Sequence, residues 1–404
     1  MSYSLDSAAE QRLVDYFDEI GEVLSRPEQR ASFAMYAMGL LGEGGRKSVE
    51  PIAARLCPDP HKVEAMHQRL LHFVGPAPWS DREVRVTAAR YAVAAMTQTA
   101  PVDAWIVDDT GFLKQGKHSV GVQRQYTGSA GKVTNCQLGV SLTLANSRAH
   151  CPVDMELYLP RSWTDDPARR AEAHIPADVV FQTKPQQALG MIERAVLAKL
   201  PKGRVLGDTA FGSNVRFRTR LRELGLDYAL AIPNTAKVYG VSQKGIRHSE
   251  AISVKTWARG LGPKGFRKVT WREGTKKKLW SRFAFRRVVA AADPQKEEVW
   301  LLMEWLPDEA EPTKFHLVTG QRKPHKRRMV RLLKERYRTE RVYEEAKQEL
   351  GLNHYEGRRY GGWHHHISVV LSCYAFVIAE RARHFPPCAA RAQPTQAAAQ
   401  SLAA

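Results

Sequence analysis

A chain of 404 residues, 43% of them hydrophobic, is long enough for two or three domains and apolar enough to bury a core. Its 61 Lys plus Arg against 42 Asp plus Glu leave a formal charge of +19, a field that attracts polyanions, so nucleic acid is the expected partner. Five scattered cysteines with no Cys-x-x-Cys pair, an acid-bearing N-terminus unlike a secretory signal and the lack of a membrane-length apolar run argue against a zinc module, export and a membrane protein, and a reducing cytoplasm is the expected location.

From about residue 8 to 96 apolar residues recur at helical spacing, as in Leu13, Phe17, Ile20 and Val23, with breaks at Gly44-Gly45 and at Pro76 and Pro78. This predicts an all-helical N-terminal domain, 1–98. Within it, a segment opened by Arg46-Lys47-Ser48 and a second over 62–73 are joined by Pro58-Asp59-Pro60. They read equally as a helix-turn-helix that contacts DNA or as an ordinary helical pair.

Ala104-Trp105-Ile106-Val107 then predicts a buried strand that delivers Asp108-Asp109-Thr110 at its C-terminal end, and 133–145 alternates as a second strand of a hairpin or three-stranded meander. After a helix at 186–200, Arg204-Val205-Leu206-Gly207-Asp208 is another apolar strand ending in an acid. A basic amphipathic helix at 215–224 and a buried strand at 228–233 follow, and strand, helix, strand implies parallel pairing in an α/β layer over 99–236. Residues 237–320 carry short alternating stretches, at 268–271, 279–289, 299–305 and 315–318, which predict a β-rich insertion. The chain returns to helices in 321–384: one long helix at 326–350 closed by Gly351, and a more apolar one at 367–383. The Pro-, Ala- and Gln-rich tail, 385–404, is expected to be disordered.

Two strands ending in acids and a later helix bearing a glutamate give the order Asp, Asp, Glu, the donor set of two-metal phosphodiester chemistry. Hard oxygen ligands and a phosphate substrate point to magnesium, with manganese able to substitute. On the helix, Arg336 and Lys347 fall within roughly 40° of Glu340, a stripe that suits a metal ion beside a DNA phosphate and equally suits a solvated, ion-paired face.

The stretch Val107-Asp108-Asp109-Thr110-Gly111-Phe112, with Lys114-Gln115-Gly116-Lys117-His118-Ser119-Val120-Gly121-Val122, Gln125-Tyr126 and Asn135-Cys136-Gln137, closely resembles the first catalytic region of insertion-sequence transposases of the IS701 group, within the wider IS4-like DDE transposases. Gly207-Asp208-Thr209-Ala210-Phe211-Gly212 resembles the second region. Glu340, then Lys347 through Arg358, and Gly362-Trp363-His364-His365-His366 resemble the third. The resemblance runs from about Arg30 to Ala382. It implies an α/β, ribonuclease-H-like catalytic core interrupted by the β-rich insertion. It also implies a cut-and-paste DNA transposase that hydrolyses phosphodiesters at transposon ends and joins them to target DNA, as a dimer on DNA and nucleoid-associated when bound. By position it implies Asp109, Asp208 and Glu340 as catalytic metal ligands. Of the family pattern Tyr-x2-Arg-x3-Glu-x6-Lys, Arg336, Glu340 and Lys347 are present, while Leu333 stands at the tyrosine position.

Neighbouring residues add alternatives. Successive strand residues face opposite sides, so one of Asp108 and Asp109 is expected in the site. The resemblance favours Asp109 and leaves Asp108 to bind backbone or a basic neighbour. Glu344 and Glu345 lack the flanking Arg and Lys of Glu340. His364, His365 and His366 point about 100° apart on a helix and are not expected to share a metal. Lys114, Lys117, Arg124 and Lys132, and the run Arg322-Lys323 with Lys326-Arg327-Arg328, are candidate DNA contacts or plain surface charge. Trp271, Trp280, Trp300 and Trp305 either stack on a flipped base or form sheet core.

Overall fold

The computed structural model describes residues 7–242, 245, 247–273, 278–320 and 325–384; the tail from 385 and the pair Arg322-Lys323 lie outside the described residues. The first part is helical, as the periodicity predicts: α1 (Ser7–Gly21), α2 (Pro27–Leu41), α3 (Val49–Leu56), α4 (Val63–Val74) and α5 (Asp81–Thr99). Local chemistry sets the helix starts. Pro27 opens α2 where its missing N–H is not needed, and the Ser80 hydroxyl accepts the Glu83 N–H at 3.2 Å to cap α5. The helix-turn-helix candidates are α3 and α4, and α4 keeps Gln68, Arg69 and His72 at least partly exposed.

The sheet begins with β1 (Ala104–Leu113), β2 (Gln123–Thr127), β3 (Lys132–Ala145) and β4 (His150–Tyr158). The helices α6 (Arg161–Thr164), α7 (Pro167–Glu172) and α8 (Lys184–Leu197) lead to β5 (Arg204–Gly207), α9 (Thr209–Gly212), α10 (Val215–Glu223) and β6 (Tyr228–Ile232). Strand β1 pairs antiparallel with β3, which pairs antiparallel with β4 and β2; on its other edge β1 runs parallel to β5, and β5 parallel to β6. Next come β7 (Lys237–Gly240), β8 (Ile252–Ser253), α11 (Val254–Leu261), β9 (Arg267–Glu273), β10 (Lys278–Ala290), β11 (Glu298–Trp305) and β12 (Lys314–Val318). This β-rich stretch extends the same sheet, because β12 pairs antiparallel with β6 from Phe315↔Ile232 to Val318↔Ala229. The chain closes with α12 (Lys326–Glu335), α13 (Tyr337–Leu350) and α14 (Tyr360–His384).

Alternation along β1 divides the interior. Trp105 and Val107 join the main core with Tyr16, Phe33 and Trp363, while Ala104 and Ile106 join a second cluster with Phe283, Leu302 and Val330. The helix α14 is buried along most of its length between the N-terminal helices and β4, so the helices up to Thr99 pack around it. Such all-round burial explains its apolar character on every face.

Two features differ from expectation. Strand β1 does not end at its acids but follows β3 to Leu113, since β3 is long and continues to offer backbone partners. The helix expected over 326–350 is interrupted at Arg336. Its two halves serve different cores: Met329 and Val330 of α12 pack with Phe283 and Phe285, whereas Val342, Ala346 and Leu350 of α13 pack in the main core. Gly351 ends α13 in the left-handed region, φ 65°, where a side chain is strained, as its C-cap role requires.

Candidate active site

Strand β1 parts from its parallel neighbour after Ile106↔Leu206, so from Val107 onward that edge is unpaired. Asp108 and Asp109 sit on opposite faces of the strand at this edge. Strand β5 stops at Gly207, and the next residue, Asp208, caps α9 by accepting the Ala210 N–H at 2.9 Å. Close packing fixes that turn: a Cβ on Gly212 would stand 1.8 Å from the Ala231 carbonyl oxygen. Opposite, α13 presents Glu340, Tyr343, Glu344 and Lys347, spaced three and four apart on one stripe. These elements enclose a cavity of about 720 Å³ lined by Asp108, Asp109, Asp208, Arg336, Glu340 and Lys347, among others.

Both adjacent aspartates therefore reach the cavity, contrary to the expectation that only one would. The cavity opens at the free edge of the strand rather than on one face of the sheet. Their surroundings differ. Asp108 is buried, accepts the Asp109 N–H at 2.9 Å and pairs with Arg336 Nη1 at 2.6 Å. Burial pushes its carboxyl up to about 6, against the pull of the Arg336 guanidinium. Asp109 accepts from Lys184 Nζ at 2.8 Å. Lys347 Nζ donates to Thr110 Oγ1 and to the Gly111 carbonyl, each at 2.8 Å, and burial lowers its ammonium to about 8. The buried Tyr343 hydroxyl lies 2.5 Å from Ser141 Oγ, anchoring the middle of the stripe to β3.

The carboxylates share the cavity without being gathered on one point: among the described residues no three His, Cys, Asp or Glu side chains stand close enough to hold one ion as they are. Their chemistry nevertheless fits a hard divalent cation, since Asp109, Asp208 and Glu340 offer only carboxylate oxygens. Glu340 is exposed, and Asp208, half-buried, keeps one carboxylate oxygen on the Ala210 N–H with the other left to offer a cation.

A second cavity of about 540 Å³ adjoins the first, shares Asp208 and Glu340, and is walled by Trp271, Phe283, Phe315 and Leu333. Leu333, at the tyrosine position, thus faces apolar space beside the acids. Trp271 packs edge-on against Phe283 with Lys334 Nζ 4.4 Å from its ring centroid. Trp280 lies under Lys268 and Trp305 donates to the Glu309 carbonyl. Trp300 packs against the second core cluster.

The remaining candidates divide. Arg336 and Lys347 line the acid cavity; Lys117, Arg124 and Lys132 are exposed but do not. Arg124 and Lys132 belong to the β2–β3 hairpin, whose Tyr126, Gly128 and Ser129 do line it. Lys114 does not line the cavity and donates its Nζ to the Tyr355 carbonyl at 2.6 Å. Lys326, Arg327 and Arg328 are exposed at the start of α12; Arg328 lines a different cavity, with Asp103 and Arg204, at the opposite end of β1 from the acids. The three histidines diverge, as helical geometry requires. His364 meets Glu156 at 3.2 Å, His365 the Val74 carbonyl at 3.0 Å, and His366 Tyr36 at 2.8 Å. Lys184 and Tyr343 were not singled out by the sequence. Tyr343 was visible in principle, three residues beyond Glu340; Lys184, 75 positions from Asp109, carries no such signal.

Residues 19–278 match the family model described as DDE superfamily endonuclease, well over half of the chain, in a span that holds Asp109 and Asp208 but ends before Glu340. The chain is also 27% identical over 204 residues to the probable transposase for insertion sequence element IS701 of Microchaete diplosiphon. That alignment covers 50% of this chain and 48% of the relative, so the match spans about half of each.

Proposed function

The chain belongs to the DDE superfamily of endonucleases, and from that premise we propose that it is a cut-and-paste DNA transposase, with Asp109, Asp208 and Glu340 as its catalytic metal ligands. The observation that carries this reading is the meeting of the three acids, from β1, the end of β5 and α13, with Arg336 and Lys347 in one cavity. The core order β4-β3-β1-β5-β6, antiparallel and then parallel, supports a ribonuclease-H-like core.

Bound by these carboxylates, magnesium, or manganese in its place, would supply activation of the attacking oxygen and stabilisation of the leaving oxygen. The chain's own residues do the rest. Lys347 donates to the Thr110 hydroxyl, the Gly111 carbonyl and, at 3.3 Å, Ser129 Oγ, and in the cavity it shares with the acids it would exchange one of these bonds for a phosphate oxygen. Arg336 holds Asp108 and keeps that carboxylate on the α13 side, leaving Asp109 to face α8. Lys184 neutralises Asp109 and sets its rotamer. Hydrolysis at an end and attack of the freed 3′-hydroxyl on target DNA are both in-line transfers, so one site serves both. The exposed cations Arg124 and Lys132, on the hairpin that walls the cavity, and Lys117 would bind DNA outside it, and pairing of two ends calls for a dimer on DNA.

The test is incubation with magnesium and DNA carrying the sequences that flank the gene, followed by mapping of nicks, hairpins and joined products. Cuts confined to the two ends, with products joined to target, are expected. Scattered nicks without joining would make the protein a nuclease of the same chemistry.

A further inference from the structure

On the far side of α13 a separate cavity of about 490 Å³ lies between α13, α14 and the turn that joins β3 to β4. Arg148, Arg338, Arg341 and Arg381 line it, against a single carboxylate, Glu345. That carboxylate is already taken up by Arg381 at 3.1 Å and the Tyr374 hydroxyl at 3.0 Å. Arg341 stands 3.7 Å from it, and Arg338 is held at 3.0 Å by Glu335. Among the described residues the Arg148 guanidinium has no ion-pair partner. His150, 6% exposed, lies in the same wall. Its Nε2 is 3.5 Å from Glu335 Oε2 but makes no hydrogen bond. Burial and the nearby Arg338 push its imidazole down to about 3, so it is neutral and adds no charge to the wall. The balance is an excess of guanidinium groups, whose planar forks match phosphate oxygens in pairs.

We propose that this arginine cavity binds the phosphate backbone of a second DNA segment, distinct from the strand held at the acids. The proposal rests on the reading of the protein as a DNA-transferring enzyme. Geometry separates the two segments. Taking Glu340 as zero, Arg341 lies about 100° and Arg338 about 160° around α13, and a helix with its side chains is about 10 Å across. A phosphate at the acids therefore cannot also touch these arginines. The polymer is favoured over a free phosphate ion by the exposure of Arg148, Arg341 and Arg381, which form an open rim. An open rim suits a backbone that passes across it.

The test uses the full chain and a duplex that carries no flanking gene sequence, with affinity measured by fluorescence anisotropy from 50 to 200 mM KCl. Arg148→Ala/Arg341→Ala removes two exposed side chains, and an unchanged unfolding midpoint checks that the fold survives; if it does not, Arg148→Glu alone serves. Loss of two phosphate contacts flattens the slope of log affinity against log salt by about 1.8, so wild-type affinity falls about 12-fold more than the variant's across this range. An equal slope overturns the proposal. So does an equal effect from Lys199→Ala/Lys264→Ala, exposed lysines outside the cavity, because it would show diffuse charge alone. Stabilisation of wild type but not variant by inorganic phosphate at constant ionic strength, with an unchanged duplex slope, would overturn it in favour of a small-anion site. No cleavage is involved, so failure here leaves the enzymatic reading intact, to stand or fall on end cutting in magnesium.

Discussion

Asp108→Asn separates the roles of the two adjacent aspartates. The Asp108 carboxyl is buried and held up to about 6 against an ordinary value of 3.8, chiefly by desolvation. The folded protein therefore binds this proton more tightly than the unfolded chain does, and native stability falls as pH rises between those two values. The full penalty, present above about pH 6, is about 3 kcal/mol, of which about 2 kcal/mol develops between pH 4.5 and 7.5. Asn keeps the shape and the acceptor for the Asp109 N–H but cannot ionise. Arg336, whose side chain is 33% exposed, can turn its freed guanidinium to water. Urea unfolding of both proteins in EDTA at the two pH values should show the variant gaining about 2 kcal/mol on wild type as pH rises. Cleavage in magnesium should survive in Asp108→Asn and be lost in Asp109→Asn. A stability difference that does not change with pH would refute the assignment of Asp108 as a buried, desolvated carboxylate.

Asp109→Ala, Asp208→Ala and Glu340→Ala should each abolish end cleavage while gel-shift binding of ends survives, because charge supplies most of the affinity. For Lys347, protonated below about 8, wild-type affinity for cleaved ends should fall as pH rises through and above that value. Lys347→Ala should bind more weakly than Lys264→Ala at pH 7 and lack this fall; identical profiles would return Lys347 to a solvated face. Gly212→Ala forces a methyl against the Ala231 carbonyl and should destabilise by about 1–3 kcal/mol, read as a lower urea midpoint, with slower cleavage from a displaced Asp208. Retained stability would mean that β6 and α9 relax freely.

Periodicity made the helices up to Thr99, the strands around Trp105 and Val205 and the aromatic strands of the β-rich part legible, because each buries one face or both. It could not show that β12 would pair with β6 and make one sheet, since that contact joins residues more than 80 positions apart. The break at Arg336 was hidden for a related reason: both halves are good amphipathic helices, and only their two different cores part them. Asp208 and Glu340 were legible as acids in a distinctive order. The shared access of Asp108 and Asp109 depends on where β5 stops pairing, and Lys184 comes from a distant helix start, so neither could be read locally.

The central claim is that Asp109, Asp208 and Glu340 together hold the catalytic metal. Anomalous diffraction from crystals of the protein bound to cleaved ends and soaked in manganese tests it most directly. Density bridging Asp109 to Asp208 and Glu340, with Asp108 still on Arg336, is the predicted result. Manganese on Asp108 instead of Asp109, or at a place apart from Glu340, would contradict it.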